Sequence, residues 1–138
     1  MIQAFSKIII HQTADDIWRV ISRFEAGCRY LHGVVDCEVE GEGVGALRTL
    51  VSANGDRIEE RLVVLDDEQY RLSYALLSNT PFRDCVTTMA VHDVGPGVAQ
   101  LEWSAVFQAE GLPEGEAAEL LGGALALNCN KLKHFLEE

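Results

Sequence analysis

Residues 46–65, ALRTLVSANGDRIEERLVVL, contain the pattern on which the fold prediction rests. Two runs of alternating apolar and polar residues, 46–53 and 57–65, flank the dipeptide Asn54-Gly55, which is typical of a tight hairpin turn. Successive side chains of a strand point to opposite faces, so each run offers one face to a core and one to solvent. The stretch therefore predicts two antiparallel strands joined by a tight turn.

The same period of two recurs on both sides of this hairpin. Further strands are predicted at residues 4–11, 34–40, 70–77, 84–92 and 98–109. Thr13, with Asp16 three residues later, resembles the N-cap of a short helix, and residues 26–33 form either a second short helix or an irregular crossing. Residues 113–138 have a helical period. We therefore expect an α+β domain in which a curved antiparallel sheet packs against a long C-terminal helix.

Length and charge exclude several classes of protein. The 138 residues fit one domain, residues 1–138, that can bury a core without disulfides or a structural metal. The 22 acidic and 11 basic residues give a formal net charge of −11, which would repel nucleic acid or an anionic membrane surface. No apolar run is long enough for stable membrane insertion and no signal peptide is evident, so we expect a cytoplasmic protein.

The cysteines and histidines predict neither a metal site nor a cofactor. Cys28, Cys37, Cys85 and Cys129 form no C-x-x-C pair, and no Cys/His group has the spacing of a zinc site. We expect reduced, mostly buried thiols, as in a reducing compartment. Cys85 has no recognisable His and acid partners for nucleophilic catalysis, so packing is its simpler role.

A charge on an otherwise apolar strand face is the first candidate functional feature. Glu60 shares the face of Ile58, Leu62 and Val64, and a carboxylate buried there must be paired, hydrogen-bonded or neutral. Across the hairpin Arg48 faces the same way, which predicts an inward Arg48–Glu60 pair. The two residues form a structural ion pair, a pair turned outward by a register slip, or a polar anchor at the bottom of an apolar pocket.

The C-terminal helix has a predicted apolar stripe that contains one amide. The stripe consists of Leu120, Leu121, Ala124, Leu125, Leu132, Phe135 and Leu136. Asn128, four residues after Ala124, belongs to the same side. Its side chain either bonds a neighbouring backbone group or faces the same cavity as Glu60, where the small Ala124 would leave room for a ligand.

Nine short stretches, in order and spacing, carry a family resemblance over essentially the whole chain. They are Ile17-Trp18, Arg23-Phe24, Cys37-Glu38-Val39-Glu40-Gly41, Gly45-Ala46-Leu47-Arg48, Glu60-Arg61-Leu62, Leu65-Asp66-Asp67, Pro113-Glu114-Gly115, Leu127-Asn128 and Lys131-Leu132. With them the chain resembles the START-like, or Bet v 1-like, superfamily (SRPBCC), which includes bacterial polyketide cyclase/dehydrase-type proteins and plant abscisic-acid receptors. The similarity is greatest to the receptor branch.

The resemblance implies a helix-grip fold with a ligand cavity. A curved seven-stranded antiparallel sheet wraps around the C-terminal helix, short helices follow the first strand, and Glu60 and Asn128 reach the ligand, often through water. The implied apolar lining consists of Leu50, Tyr74, Leu76, Phe82, Leu120 and Ala124. Residues 52–56 resemble the gate over the cavity mouth, and residues 80–82 resemble the facing latch.

Departures from the receptors argue against abscisic acid as the ligand. Leu31 stands where the receptors place the lysine that holds the hormone carboxylate, and residues 52–56 and 80–82 lack the receptors' gate and latch sequences. We therefore expect neither plant-type hormone recognition nor a gate-mediated phosphatase partner. A ligand less dependent on carboxylate capture fits better, although Arg48 could serve an acidic one.

Three functions remain open from the sequence. The first is binding of a small hydrophobic molecule of the lipid, terpenoid or aromatic polyketide class, with Arg48, Glu60 and Asn128 fixing its orientation. The second is a cyclase or dehydratase, in which Glu60 moves a proton; pairing with Arg48 favours binding instead, because it keeps the carboxylate ionised. The third is an interaction or stress-response domain with a filled cavity, where large residues at Ala124, Cys85 or Thr87 would be stabilising.

Overall fold

The computed structural model describes residues 1–78 and 80–138 of the chain. The strands in these residues are β1 (Ile2–Ile10), β2 (Val34–Glu40), β3 (Leu47–Ser52), β4 (Arg57–Asp66), β5 (Arg71–Leu76), β6 (Phe82–Gly95) and β7 (Val98–Ala109). Between β1 and β2 lie helix α1 (Ala14–Ile21) and a short 3₁₀ helix (Phe24–Arg29), and the chain ends in helix α2 (Glu114–Glu137). Each predicted element is present, and β6 extends beyond the predicted residues 84–92.

The strands form an antiparallel sheet in the order β1-β7-β6-β5-β4-β3-β2. Strands β2 to β7 follow one another as a meander, whereas β1 pairs with the last strand, β7. Helix α1 and the 3₁₀ helix carry the chain from β1 at one edge to β2 at the other. The predicted α+β, helix-grip architecture is therefore confirmed.

The β3–β4 hairpin turns through the three residues 53–55, with Ser52 paired to Asp56. Gly55 adopts a φ of 91°, which glycine accepts without strain, and its N–H donates to the carbonyl of Ser52 at 2.9 Å. Arg48 lies directly opposite Glu60. A bulge in the β4–β5 pairing just before Val64 shifts the alternation, so Val64 is exposed and its predicted place on the apolar face is wrong.

Helix α1 begins at the predicted N-cap and is anchored on the β4–β5 turn. Oγ1 of Thr13 accepts a hydrogen bond from the backbone N–H of Asp16 at 3.1 Å. Trp18 stacks on Tyr70 with 5.6 Å between ring centroids, and its indole N–H donates to Asp67 at 2.9 Å. These contacts hold one end of the crossing between the two sheet edges.

Helix α2 packs mainly on β1 and β7. Its buried residues are Ala117, Leu125, Cys129, Leu132 and Leu136. The predicted stripe is therefore wrong at Leu120 and Ala124, which are both exposed. Leucines also lie outside the buried side, at Leu120 and Leu127, so hydrophobic period alone does not identify the packed face of this helix.

Within residues 1–78 and 80–138, no helix is long and apolar enough to cross a membrane. Nor do those residues contain a cluster of three or more His, Cys, Asp or Glu side chains able to hold a metal ion. All four cysteines are free thiols; Cys85 and Cys129 are buried, whereas Cys28 and Cys37 are partly exposed.

Candidate ligand-binding site

Arg48 and Glu60 form a buried ion pair on the inner face of the sheet, the face that the helices cover. Nη2 of Arg48 donates to Oε1 of Glu60 at 2.6 Å, and Nε donates to the same oxygen at 3.0 Å. Arg48 is 2% exposed and Glu60 is 8% exposed. The predicted inward pairing is confirmed, and the outward register slip is excluded.

Aromatic rings and a carbonyl complete the surroundings of the guanidinium. Cζ of Arg48 lies 3.9 Å from the ring centroid of Phe24 and 5.0 Å from that of Tyr74, distances at which a cation is attracted to the ring. Nη1 donates to the carbonyl oxygen of Phe24 at 3.1 Å. All three guanidinium nitrogens therefore have partners, which is the condition for burying a charge at tolerable cost.

Burial and charge act in opposite directions on the groups around the pair. Burial lowers the pKa of Arg48, but the Glu60 carboxylate and the phenols of Tyr74 and Tyr30 raise that pKa by more. Burial raises the pKa of Tyr30 to about 12 and also raises the pKa of Tyr74. Both phenols are therefore neutral at neutral pH, and the Tyr74 oxygen accepts a hydrogen bond from the indole N–H of Trp103 at 3.1 Å.

The 3₁₀ helix covers the ion pair at Gly27. A Cβ added to Gly27 would lie 2.5 Å from Nη1 of Arg48 and 3.1 Å from Cδ1 of Leu31, so a larger residue would displace the guanidinium. The sequence did not predict that this helix covers the ion pair. Arg23-Phe24 was named only as one of the stretches that carry the family resemblance. The signal that could have found it is Arg48 itself, because a buried guanidinium needs a partner for every nitrogen.

One oxygen of Glu60 stays open. Both hydrogen bonds from Arg48 reach Oε1, and Oε2 makes no hydrogen bond with a described residue. The Glu60 side chain is 11% exposed, against 3% for that of Arg48. Among residues 1–78 and 80–138, no fully buried side-chain oxygen or nitrogen lacks a partner. Oε2 is therefore reachable from outside the packed core, and it offers one hydrogen-bond acceptor.

Asn128 joins α2 to the segment that follows the 3₁₀ helix. Its Oδ1 accepts a hydrogen bond from the backbone N–H of His32 at 2.8 Å. One turn later, Nζ of Lys131 donates to the carbonyl oxygen of Leu31 at 3.1 Å. Of the two predicted roles of Asn128, the structure shows the backbone bond; contact with a ligand stays a prediction.

Leu120 and Ala124 lie on the same side of α2 as Asn128, two turns and one turn before it. Leu120 is 56% exposed, and Ala124 is exposed as well. Asn128 and Lys131 bond this side of the helix to residues 31 and 32, which follow the 3₁₀ helix that covers Arg48. An apolar surface of α2 therefore continues from the cover of the ion pair towards the start of the helix.

The remaining predicted lining residues lie in two places, the core around the ion pair and the β5–β6 end of the sheet. Leu50 and Tyr74 are both 5% exposed and belong to the core around the ion pair. Leu76 and Phe82 are partly buried, and the Phe82 ring packs edge-on against Phe107 with 5.3 Å between centroids. Leu76 and Phe82 also border a hollow of about 240 Å³ at the β5–β6 end.

The implied gate is a tight turn in this chain. The N–H of Ser52 donates to the carbonyl of Asp56 at 2.9 Å, so residues 52–56 are closed by backbone hydrogen bonds. In the implied latch, Oγ1 of Thr80 accepts from the N–H of Phe82 at 3.0 Å. A turn of this length leaves little chain to fold over a cavity mouth.

A hollow of about 520 Å³ lies on the opposite, outer face of the sheet. Its lining includes Gln3, Phe5, Arg71, Val86, Thr88, Glu102, Ser104 and Val106. Sequence analysis missed it. The available signal was a pair of short side chains, Thr88 and Ser104, which stand directly opposite each other on β6 and β7.

Sequence comparison assigns this architecture to a family. Residues 1–137 match the family described as polyketide cyclase / dehydrase and lipid transport, and the chain therefore belongs to it. The family is of the SRPBCC, Bet v 1-like type that the resemblance predicted. No curated protein matches the chain.

Solved structures show the same fold at low identity. XoxI from Bacillus cereus is 21% identical with a TM-score of 0.91, over 100% of this chain and 97% of its own. The di-domain ARO/CYC protein BexL, from the BE-7585A biosynthetic pathway, is 19% identical with a TM-score of 0.85, over 99% of this chain and 47% of its own. Norcoclaurine synthase from Thalictrum flavum, in complex with dopamine and hydroxybenzaldehyde, is 18% identical with a TM-score of 0.78, over 98% and 86%.

Proposed function

We propose that the protein binds a small hydrophobic molecule, of the lipid, terpenoid or aromatic polyketide class, between the inner face of the sheet and α2. The observation that carries this proposal is the Arg48–Glu60 pair, which is buried yet keeps Oε2 of Glu60 reachable. Ligand sites combine apolar walls with a few fixed polar groups. Leu120 and Ala124 supply an apolar wall, and Oε2 supplies the polar group.

The pair also indicates which polar end a ligand presents. Oε2 of Glu60 accepts hydrogen bonds, so it suits a hydroxyl or phenol and repels a carboxylate. Arg48 offers an acidic ligand little, because its side chain is 3% exposed and three of its five N–H groups already donate to Glu60 and to the carbonyl of Phe24. This geometry supports hydroxyl-bearing apolar molecules over fatty acids.

The same geometry favours binding over acid–base catalysis. Oε1 of Glu60 accepts two hydrogen bonds from Arg48, so a Glu60 side chain that moved to transfer a proton would break the contacts that allow the guanidinium to be buried. A cyclase that acts by positioning a reactive chain needs no proton from Glu60. The family and the likeness to BexL support that second function, and it uses the same space.

A thermal-shift titration tests the proposal with three probes: a naphthol, a terpenoid alcohol and a long-chain fatty acid. A ligand that binds the native state alone raises the melting temperature Tm in a saturable way. We expect the naphthol or the terpenoid alcohol to raise Tm, and the fatty acid to raise it less. Chromatography of the recovered probe then separates binding from turnover.

Two tryptophan variants on α2 locate the binding site. Ala124→Trp fills the proposed space and should abolish the ligand-induced shift. Asn130→Trp is the matched control, because this exposed residue lies about 120° around the helix from Ala124. The proposal is wrong if Tm responds to no probe, or if both variants bind as the wild type does.

A further inference from the structure

Two thiols meet where the 3₁₀ helix packs on β2. Sγ of Cys37 lies 3.4 Å from the carbonyl oxygen of Glu25, and Sγ of Cys28 lies 3.8 Å from the same oxygen. Cys28 belongs to the 3₁₀ helix, whereas Cys37 belongs to β2, opposite Leu50 in the sheet. The two sulfur atoms therefore converge on one acceptor from two different elements.

The other two thiols are placed differently. Cys85 and Cys129 are buried, and burial raises the pKa of each. Cys28 and Cys37 are partly exposed. Thiol oxidation requires access, so Cys28 and Cys37 are the two thiols that a reagent in solvent reaches.

The surroundings of Cys37 set the order in which the two thiols react. Burial, and after it the adjacent Cys28 thiol, raises the pKa of Cys37 to about 11. Cys37 is therefore a protonated thiol at neutral pH. Because the thiolate is the nucleophile in disulfide exchange, the raised pKa of Cys37 disfavours this thiol as the first attacker, and we assign the first attack to Cys28.

We infer that Cys28 and Cys37 form a reversible disulfide by exchange with a low-molecular-weight disulfide such as oxidised glutathione. The Cys28 thiolate attacks one glutathione sulfur, the S–S bond of the reagent breaks, and one glutathione thiolate leaves with the electron pair. Cys37 gives its proton to that thiolate, its sulfur attacks the Cys28 sulfur, and the second glutathione leaves as a thiolate that takes up from solvent the proton that Cys28 released. The protein loses two electrons and two protons, and two molecules of reduced glutathione are formed.

The new bond would fix the helix that covers the ion pair. Gly27, next to Cys28, approaches the guanidinium of Arg48 so closely that a Cβ would clash, and Phe24 of the same helix lies over that group. A covalent link from this helix to β2 would hold both residues in place. Oxidation is therefore a means of stiffening the floor of the inner face, whether or not a ligand binds there.

Peptide mapping of the native protein tests the inference directly. Trypsin cleaves after Arg29, between the two cysteines, so the disulfide joins the peptides 24–29 and 30–48. After incubation with oxidised glutathione and alkylation of free thiols, we expect this linked pair in the mass spectrum, and its loss on addition of dithiothreitol. We also expect Tm to rise by about 5 °C on oxidation, because a cross-link restricts the unfolded chain.

Single serine variants provide the controls. Cys28→Ser should react little with glutathione, Cys37→Ser should keep a stable glutathione adduct on Cys28, and neither should gain Tm. Cys85→Ser should form the linked peptides as the wild type does. Stable glutathione adducts on the wild type in place of the cross-link, or a fall in Tm on oxidation, would overturn the inference.

Discussion

Two regions of the core, one on each side along the sheet, are held together by different kinds of interaction. Around β1, β7 and α2 the core is apolar, with Trp103, Phe107 and Leu132 fully buried. Around β3, β4 and the 3₁₀ helix the core contains an ion pair, Arg48–Glu60, whose every donor nitrogen has a partner. Apolar burial is non-directional and tolerates adjustment, whereas a buried charge depends on each partner being in place. The first side supplies stability, and the second fixes one geometry.

The largest expected effect comes from breaking the polar side. Arg48→Met leaves Glu60 buried without its partner, and we expect the free energy of unfolding to fall by about 3–5 kcal/mol. Denaturant titration of the variant and the wild type measures this loss. The double variant Arg48→Met/Glu60→Leu should recover most of it, because an apolar pair needs no hydrogen-bond partners. Equal losses in the single and double variants would contradict this account.

Glu60→Gln and Glu59→Gln form a matched pair on β4. The amide cannot balance the charge of Arg48, so we expect Glu60→Gln to cost about 3–5 kcal/mol, as for the loss of either partner of a buried pair. Glu59 points to the exposed face, and its change should stay within about 0.5 kcal/mol. Equal Tm values for the two variants would mean that the face assignment of β4 does not govern stability.

Two leucines of α2 test the apolar side. Leu132 is fully buried, and Leu132→Ala should cost about 2–5 kcal/mol through lost transfer energy and the cavity it leaves. Leu120 is 56% exposed, and Leu120→Ala should change stability by less than about 0.5 kcal/mol. Leu120→Ala should nevertheless weaken binding of the naphthol probe. Weaker binding at unchanged stability would distinguish a residue that lines the ligand site from one that packs in the core. A large loss of stability in Leu120→Ala would show that this side of α2 is packed.

Two glycines respond with opposite signs. Gly27→Ala forces a methyl group against Arg48, and we expect a loss of about 1–3 kcal/mol. Gly123 lies within α2 with open space around its Cα, so Gly123→Ala should stabilise the protein by about 0.5–1 kcal/mol through helix propensity. Thermal melts of the two variants measure both changes in stability. A stabilising Gly27→Ala would contradict the close packing of Gly27 against Arg48.

The smallest expected effect is at the end of α2. Hydrogen bonds from Lys133 and from the backbone N–H of His11 lower the pKa of Glu137 to about 2. Because the folded-state pKa is depressed, the stabilisation is present above about pH 4.5 and is lost as the pH falls towards about 2. Glu137→Gln should therefore lower Tm slightly at neutral pH, and this difference from the wild type should vanish in acid. A pH-independent difference would contradict the assignment, and the exposed Glu119→Gln is the control.

Much of this arrangement follows from local pattern, and the rest does not. Strand alternation and the Asn54-Gly55 turn together predicted the Arg48–Glu60 pair, because both signals act within one hairpin. The packed side of α2 was not predicted correctly at Leu120. Apolar residues lie on several sides of this helix, so the hydrophobic period does not show which side is buried. The role of Gly27 in covering the ion pair was missed. It depends on contact with Arg48, which lies on another element, and such a contact produces no periodic pattern in the sequence.

The pairing of β1 with β7 has a consequence for how the chain folds during synthesis. Ile2 stands opposite Phe107, so the earliest of the seven strands to be made has its sheet partner at the far end of the chain. Strands β2 to β7 form as successive hairpins while translation proceeds, whereas β1 must wait for β7, and then for α2, to leave the ribosome. The isoleucine-rich β1 is thus the segment that stays unpaired longest. A nascent chain arrested before β7 exposes it to aggregation and to chaperones.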